Sequence, residues 1–98
     1  MQTVETIRFH LLDGISDEDF LRRNRRVEDG YMSLRKGFRS RSTARSADGE
    51  WLVTVHWESS ADADATMASF FGAPETQEFL AAVDKKTVSS GRYEQVDY

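Results

Sequence analysis

The chain has 98 residues, a formal net charge of −4 and no cysteine. This length indicates a single domain that spans residues 1–98. The lack of cysteine excludes disulfides, thiolate nucleophiles and thiolate metal sites, and two histidines are too few for an ordinary structural zinc site. No apolar run approaches the roughly 18 residues that a membrane span needs. The N-terminal residues lack a signal-peptide pattern, so we expect a cytoplasmic protein.

Basic residues are concentrated in one segment. Between Phe20 and Ala47 there are nine, opposed only by Glu28 and Asp29. Such asymmetry is typical of a surface that binds anions or nucleic acid, and equally of a solvated helix beside a charged edge strand. The acidic balance of the whole chain favours the second interpretation.

The first third of the chain predicts a strand followed by a helix. Residues 4–12 alternate between apolar and polar, which indicates a strand with Ile7 and Phe9 on its buried face. Ser16 precedes three acidic residues, as is typical of a helix N-terminus, and the predicted helix covers about 17–36. Its inward stripe consists of Phe20, Asn24, Val27, Tyr31 and Leu34.

The remainder predicts a hairpin, a second helical region and a last strand. A weakly apolar strand over 38–46 and a strongly alternating strand over 50–57 flank the turn residues Asp48-Gly49. Ser59 or Ser60 caps the next helix. Its apolar stripe is Ala63, Met67, Phe70 and Phe71. After the interruption Gly72-Ala73-Pro74, residues 75–83 form a further helical stretch, and alternation returns over 92–98.

This order predicts an α+β fold of the ferredoxin-like βαββαβ kind, with a four-stranded antiparallel sheet and the helices on one face. The first and third strands are expected at the centre of the sheet. The face away from the helices mixes apolar with polar residues, so we expect a second copy to cover it in a homodimer. That face carries Arg8, His10, Leu52, Thr54 and His56.

Three short motifs stand out: Gly37-Phe38, Trp57-Glu58-Ser59 before a helix, and Pro74-Glu75-Thr76-Gln77-Glu78-Phe79. Together they resemble the antibiotic-biosynthesis monooxygenase-type family of the dimeric α/β-barrel superfamily. The resemblance implies a pocket between sheet and helices with Trp57 as one wall. The superfamily includes cofactor-free monooxygenases of aromatic polyketides, haem-degrading enzymes, polyketide cyclases and proteins of unknown role.

The family's catalytic positions match incompletely. Quinone-forming monooxygenases have an asparagine at the position of Val53 and a tyrosine at that of Ala63, and haem-degrading members have a histidine at about that of Met67. Their first-strand asparagine also lacks a counterpart. The resemblance therefore does not imply haem degradation, and the quinone-forming chemistry lacks its known residues.

Polar candidates for a site are Asn24, His10, His56 and Arg8. Asn24 is the polar residue of an inward stripe, and either orients a ligand or is satisfied by nearby groups. His10 and His56 share a sheet face and predict either an acid–base pair or two interface histidines. Arg8, on a central strand, either pairs with a carboxylate or binds an anionic substrate group.

Aromatic and apolar candidates would form the substrate-binding walls. Tyr31 and Trp57 suit a flat conjugated substrate, although both would equally be core residues. Phe9, Met67 and Phe70 are further candidate walls, and ordinary core positions are the alternative.

The leading hypothesis is a small cofactor-independent enzyme that acts on an aromatic or polyketide-like small molecule through a substrate carbanion, by monooxygenation or cyclisation. A non-catalytic ligand-binding or stress-associated dimeric barrel is the alternative. RNA-recognition domains share the element order, but residues 50–57 lack their basic–Gly–aromatic pattern. We therefore expect no nucleic acid, no membrane, no metal and no cofactor.

Overall fold

The computed structural model describes residues 2–96 and has the predicted βαββαβ order. The strands form one antiparallel sheet in the order β2-β3-β1-β4, with β1 and β3 at its centre, which confirms the ferredoxin-like fold. Single turns of 3₁₀ helix occupy 32–34, 74–76 and 85–87. The elements are β1 (Thr3–Phe9), α1 (Asp17–Gly30), β2 (Phe38–Arg45), β3 (Trp51–Trp57), α2 (Ser60–Phe70), α3 (Gln77–Ala82) and β4 (Ser89–Glu94).

The core lies between the helices and one face of the sheet. Alternate residues of β1 and β3 point toward the helices, as the sequence predicted. Phe9 and Phe20 pack edge-to-face at 5.6 Å, and Phe79 from α3 joins them at 5.8 and 5.6 Å. Within the described residues, no helix is long and apolar enough to cross a membrane.

Helix α1 is shorter than predicted. Ser16 caps it as expected, with its Oγ accepting the N–H of Asp19 at 3.1 Å, but the helix ends at Gly30 rather than near 36. Tyr31 leaves the helical region at φ −136° and ψ −64°. Glycine weakens a helix because it loses more backbone conformational entropy on ordering than any other residue. The predicted burial of Leu34 is therefore wrong, since its side chain is 67% exposed.

Strand β2 contains a one-residue bulge at Arg39. Phe38 pairs with Trp57, but Ser40 pairs with His56, so Arg39 has no residue opposite it. A one-residue shift inverts which side chains point inward. From Ser40 onward the alternation is reversed, and Arg41, opposite Val55, faces the helices.

Strand β4 begins three residues earlier than predicted. It pairs with β1 from Ser89, opposite Arg8, to Glu94, opposite Thr3. Its first residues are serine and glycine, so no apolar alternation marked them in the sequence. The last residues of the predicted strand, Asp97 and Tyr98, lie outside the described residues.

Replacement of Gly37 by alanine should destabilise the fold by about 2 kcal/mol or more. Gly37 has φ +80°, and a Cβ there would lie 2.1 Å from Asp62 Oδ2. Gly14→Ala is the matched control, because Gly14 has φ +89° but open space around it, so only backbone strain of about 1 kcal/mol applies. Urea denaturation measures both. Equal losses would show that Asp62 moves aside without cost.

Candidate functional site

A cavity of about 1080 Å³ is lined by the sheet, by α3, by the C-terminal end of α2 and by residues of the segment 83–88. Met67 and Phe70, which are half-buried, and Phe71, which is 64% exposed, lie on its wall. The volume suits a ligand of several fused rings. The apolar walls include Ile7, Phe9, Val53, Val55, Met67, Phe70, Phe79 and Leu80.

Charged residues cross the floor of this cavity in one row. Arg41 pairs with Val55, Val55 with Glu5, and Glu5 with Arg92, across β2, β3, β1 and β4. Residues at paired positions point to the same face of a sheet. Accordingly, all four line the cavity, with a cation at each end of the row and a carboxylate between them.

Arg41 is the deeply buried cation. Its side chain is 3% exposed, and Nη2 donates to Asn24 Oδ1 at 2.7 Å. Nη1 lies 3.6 Å from Glu28 Oε1, which allows charge attraction but is too long for a hydrogen bond. Among the described residues Nη1 thus has no hydrogen-bond partner. Burial lowers the pKa of Arg41 and Glu28 opposes that shift, and a guanidinium remains charged near neutral pH.

Asn24 holds Arg41 in place. The amide is buried on α1, accepts from Arg41, and donates through Nδ2 to Thr43 Oγ1 at 3.0 Å. Its partners are therefore side chains of β2. Asn24 does not line the cavity, whereas Arg41 does. Asn24 therefore acts on a ligand only through its contact with Arg41.

Glu5 is the buried carboxylate of the row. Trp57 Nε1 donates to its Oε1 at 3.4 Å, and Arg92 Nη2 donates to its Oε2 at 3.1 Å. Arg92 also donates to Asp64 of α2. These hydrogen bonds, first to Asp64 and then to Glu5, raise the pKa of Arg92. Arg92 therefore joins the edge of the sheet to α2.

The candidate walls divide into two groups. Phe9, Met67 and Phe70 line the cavity. Trp57 and Tyr31 do not. Trp57 is wholly buried with its indole on Glu5, and Tyr31 is buried with its hydroxyl donating to the Thr66 carbonyl at 3.3 Å.

The predicted polar candidates on the outer face lie away from the cavity. Val4 pairs with His56, and His10 lies six residues further along the strand, which separates the two histidines by roughly 20 Å. They do not form a pair within one chain. Arg8 is exposed and donates to Ser89 Oγ at 3.3 Å. A catalytic or binding role for these residues remains a prediction about the outer face.

Sequence reasoning missed the residues that give the cavity its charge. Glu5 shares the alternation of Ile7 and Phe9, so its inward direction was readable from the strand pattern. Arg41 was not readable, because the bulge at Arg39 reverses the alternation. Within residues 2–96, no three His, Asp or Glu side chains gather as they would around a metal ion.

Asn24→Ala should lower the free energy of unfolding by about 2–3 kcal/mol, because it leaves Nη2 of a buried cation without its acceptor. Asn24→Asp retains an acceptor and should cost less. Urea denaturation of both variants measures the difference. Equal destabilisation by Ala and Asp would contradict the view that Asn24 acts through Arg41.

No family model matches the chain, and no curated protein is significantly similar to it. Solved structures match nearly its whole length. SnoaB, a cofactor-independent oxygenase from Streptomyces nogalater, has a TM-score of 0.79 at 14% identity and covers 99% of this chain and 95% of its own. A proposed antibiotic biosynthesis monooxygenase from Nitrosomonas europaea has 0.73 at 12%, covering 97% and 90%. Rv0793 from Mycobacterium tuberculosis has 0.71 at 16%, covering 100% and 98%.

At these identities the similarity is one of fold. It confirms that the chain has the fold of antibiotic-biosynthesis monooxygenase-type proteins, as its short motifs predicted. Two of the family's catalytic positions, Val53 and Met67, lie on the cavity wall, whereas Ala63 is in the core. All three are apolar here. The polar groups of the cavity therefore come from Glu5, Arg41 and Arg92 instead.

Proposed function

We propose that the protein is a small cofactor-independent enzyme that converts an aromatic or polyketide-like molecule through a substrate carbanion. The reaction either adds oxygen to that carbanion or closes a ring. The observation that carries this proposal is the buried carboxylate of Glu5 in the wall of a large apolar cavity. A conjugated carbanion requires a base to form it and an apolar enclosure to hold its flat ring system.

Glu5 is placed to act as the base. Trp57 and Arg92 each occupy one lone-pair site, and a carboxylate offers about four, so acceptor capacity remains for a substrate proton. The proton moves from an acidic carbon of the substrate to a carboxylate oxygen of Glu5. The electron pair left behind spreads over the conjugated system, and then forms a bond to dioxygen or to an electrophilic carbonyl carbon of the same molecule. The peroxide or alkoxide oxygen formed in this way takes the proton back from Glu5.

The structural relatives support the general kind of function. One is described as a cofactor-independent oxygenase and another as a proposed antibiotic biosynthesis monooxygenase. In this chain the shared fold leaves a cavity between sheet and helices. Because Val53, Ala63 and Met67 replace the polar residues of the family's known chemistry, this enzyme would use Glu5 for the step in which the proton is removed.

The proposal is tested by mixing the protein with a panel of anthrones and polyphenols and following dioxygen uptake and product absorbance. Glu5→Gln should lower kcat by about 100-fold or more, because the amide cannot accept the proton. Glu58→Gln is the matched control, since Glu58 is an exposed carboxylate paired with Arg39. Thermal unfolding of each variant separates loss of activity from loss of fold. Full turnover in Glu5→Gln would overturn the assignment of the base.

A ligand-binding barrel without catalysis is the second candidate. Arg41 and Arg92 line the cavity and have shifted pKa values, and neither titrates near neutral pH. Acid–base sites usually contain a group tuned toward the working pH. Saturable binding across the panel without turnover by the wild-type protein would favour this function.

We also propose that the protein is a homodimer joined through the outer sheet face. Leu52, Thr54 and His56 of β3 are only half-buried in one chain and alternate with fully buried residues. Pairing two such faces would cover the apolar part of this surface.

Leu52→Asp should convert a dimer to a monomer in sedimentation velocity, because it places a charge in the proposed interface. Leu21→Asp is the control, since Leu21 is an exposed leucine on α1, away from the sheet. Monomeric wild-type protein would contradict the proposal.

A further inference from the structure

The side chain of Arg41 is more deeply buried than a link between β2 and α1 requires. It joins β2 to α1 through Asn24 and Glu28. Arg45 lies four residues further along the same strand and also joins β2 to α1, because its Nε is 3.4 Å from Asp17 Oδ2. The Arg45 side chain is 43% exposed. The surface pair shows that this link between strand and helix does not need a buried cation. What distinguishes Arg41 is its place on the cavity wall.

Among residues 2–96, Nη1 of Arg41 has no hydrogen-bond acceptor, and this indicates what would complete the site. Glu28 is 3.6 Å from it and 40% exposed, so it offsets part of the charge without accepting a hydrogen bond. A buried guanidinium N–H favours an anionic oxygen as its acceptor, because such hydrogen bonds are stronger than neutral ones. Since Arg41 lines the cavity, an anionic oxygen bound against this wall would supply the acceptor that Nη1 lacks among the described residues.

The charges around the cavity favour an anion as well. Its charged lining consists of four cations and two carboxylates, although the whole chain has a net charge of −4. A wall with an excess of one sign attracts ligands of the other sign. The cations are Arg41, Lys85, Lys86 and Arg92, and the carboxylates are Glu5 and Asp84.

The surroundings of Arg41 favour a flat ligand. The Cζ atom lies 5.9 Å from the ring centroid of Phe79, which packs edge-to-face with Phe70 at 6.3 Å. A planar ring system can contact these aromatic walls while an oxygen at its edge reaches the guanidinium.

We propose that the cavity binds a planar conjugated acid, whose ionised oxygen is bound by Arg41. This inference rests on the proposed function and names the substrate class. The anionic oxygen belongs to a carboxylate or to an ionised enol, and both have the same chemistry toward a guanidinium. Arg41 positions the ring system by its acidic edge, and Asn24 fixes the guanidinium from behind.

The test compares three probes: 2-naphthoate, its uncharged methyl ester, and 2-hydroxy-1,4-naphthoquinone, an ionised enol at neutral pH. Titration calorimetry measures their binding to the wild type and to Arg41→Met, Arg41→Lys and Arg45→Met. The wild type should bind at least one of the anions about tenfold or more tightly than the ester. Arg41→Met should remove that preference by weakening the anion alone, Arg41→Lys should keep part of it, and Arg45→Met should leave it unchanged.

The outcomes separate the inference from the proposed function. A preference for naphthoate alone identifies a carboxylate, and a preference for the quinone alone identifies an enol. Equal binding of ester and anions by the wild type would overturn the role of Arg41 while leaving an aromatic-binding cavity intact. Binding of none of the probes would overturn both proposals. The comparison of acid and ester in the wild type is decisive even if Arg41→Met does not fold.

Discussion

The antiparallel pairing of β1 with β3 is the constraint on which the rest of the molecule depends. It sets one face of the sheet against the helices and one face away from them. Every second residue of these strands points inward whatever its polarity, and all of these except the half-buried Ile7 are buried. Phe9, Val53 and Val55 gain from this placement, since burial of apolar surface is the main driving force of folding. The same pairing buries Glu5. Burial does not stabilise a carboxylate by itself, so Glu5 requires hydrogen-bond partners.

The partners of the buried charges give the cavity its fixed chemistry. Trp57 and Arg92 hold Glu5 from two sides, and Asn24 holds Arg41 from behind. These groups are thus oriented before a ligand enters. Fixed dipoles and charges in an apolar enclosure stabilise developing charge better than groups that must reorganise. The same hydrogen bonds therefore serve the stability of the fold and the chemistry of the site.

The sequence predicted correctly those features that depend on a single helix, strand or turn. The alternation of β3, the N-cap Ser16 and the turn at Asp48-Gly49 each depend on a few neighbouring residues, and together they predicted the fold. The end of α1 was harder to predict. The apolar stripe continues to Leu34, which favoured a longer helix although Gly30 is a weak helix former.

The sequence predicted the site only in part, because a cavity depends on how far apart the elements pack, which the pattern of a single element does not indicate. The apolar stripe of α2 does not indicate whether Met67 and Phe70 fill the core or line a cavity. Asn24 was correctly recognised as an inward polar residue, but its partner lay on a strand of unknown register. The placement of the two histidines at opposite ends of the sheet also follows from register, which the alternation of single strands does not specify.

The bulge in β2 links the register of a strand to the identity of a functional group. If Arg39 were paired with His56 instead of bulged, continuous pairing from Phe38 would bring Ser40 opposite Val55 and turn Arg41 to the outer face. Loss of the bulge by re-pairing at the sheet edge would therefore exchange a cavity cation for a hydroxyl with no substitution in the cavity. Proteins of this fold thus have a route to new ligands through edge-strand register, and pocket residues aligned by sequence alone would be assigned to the wrong face.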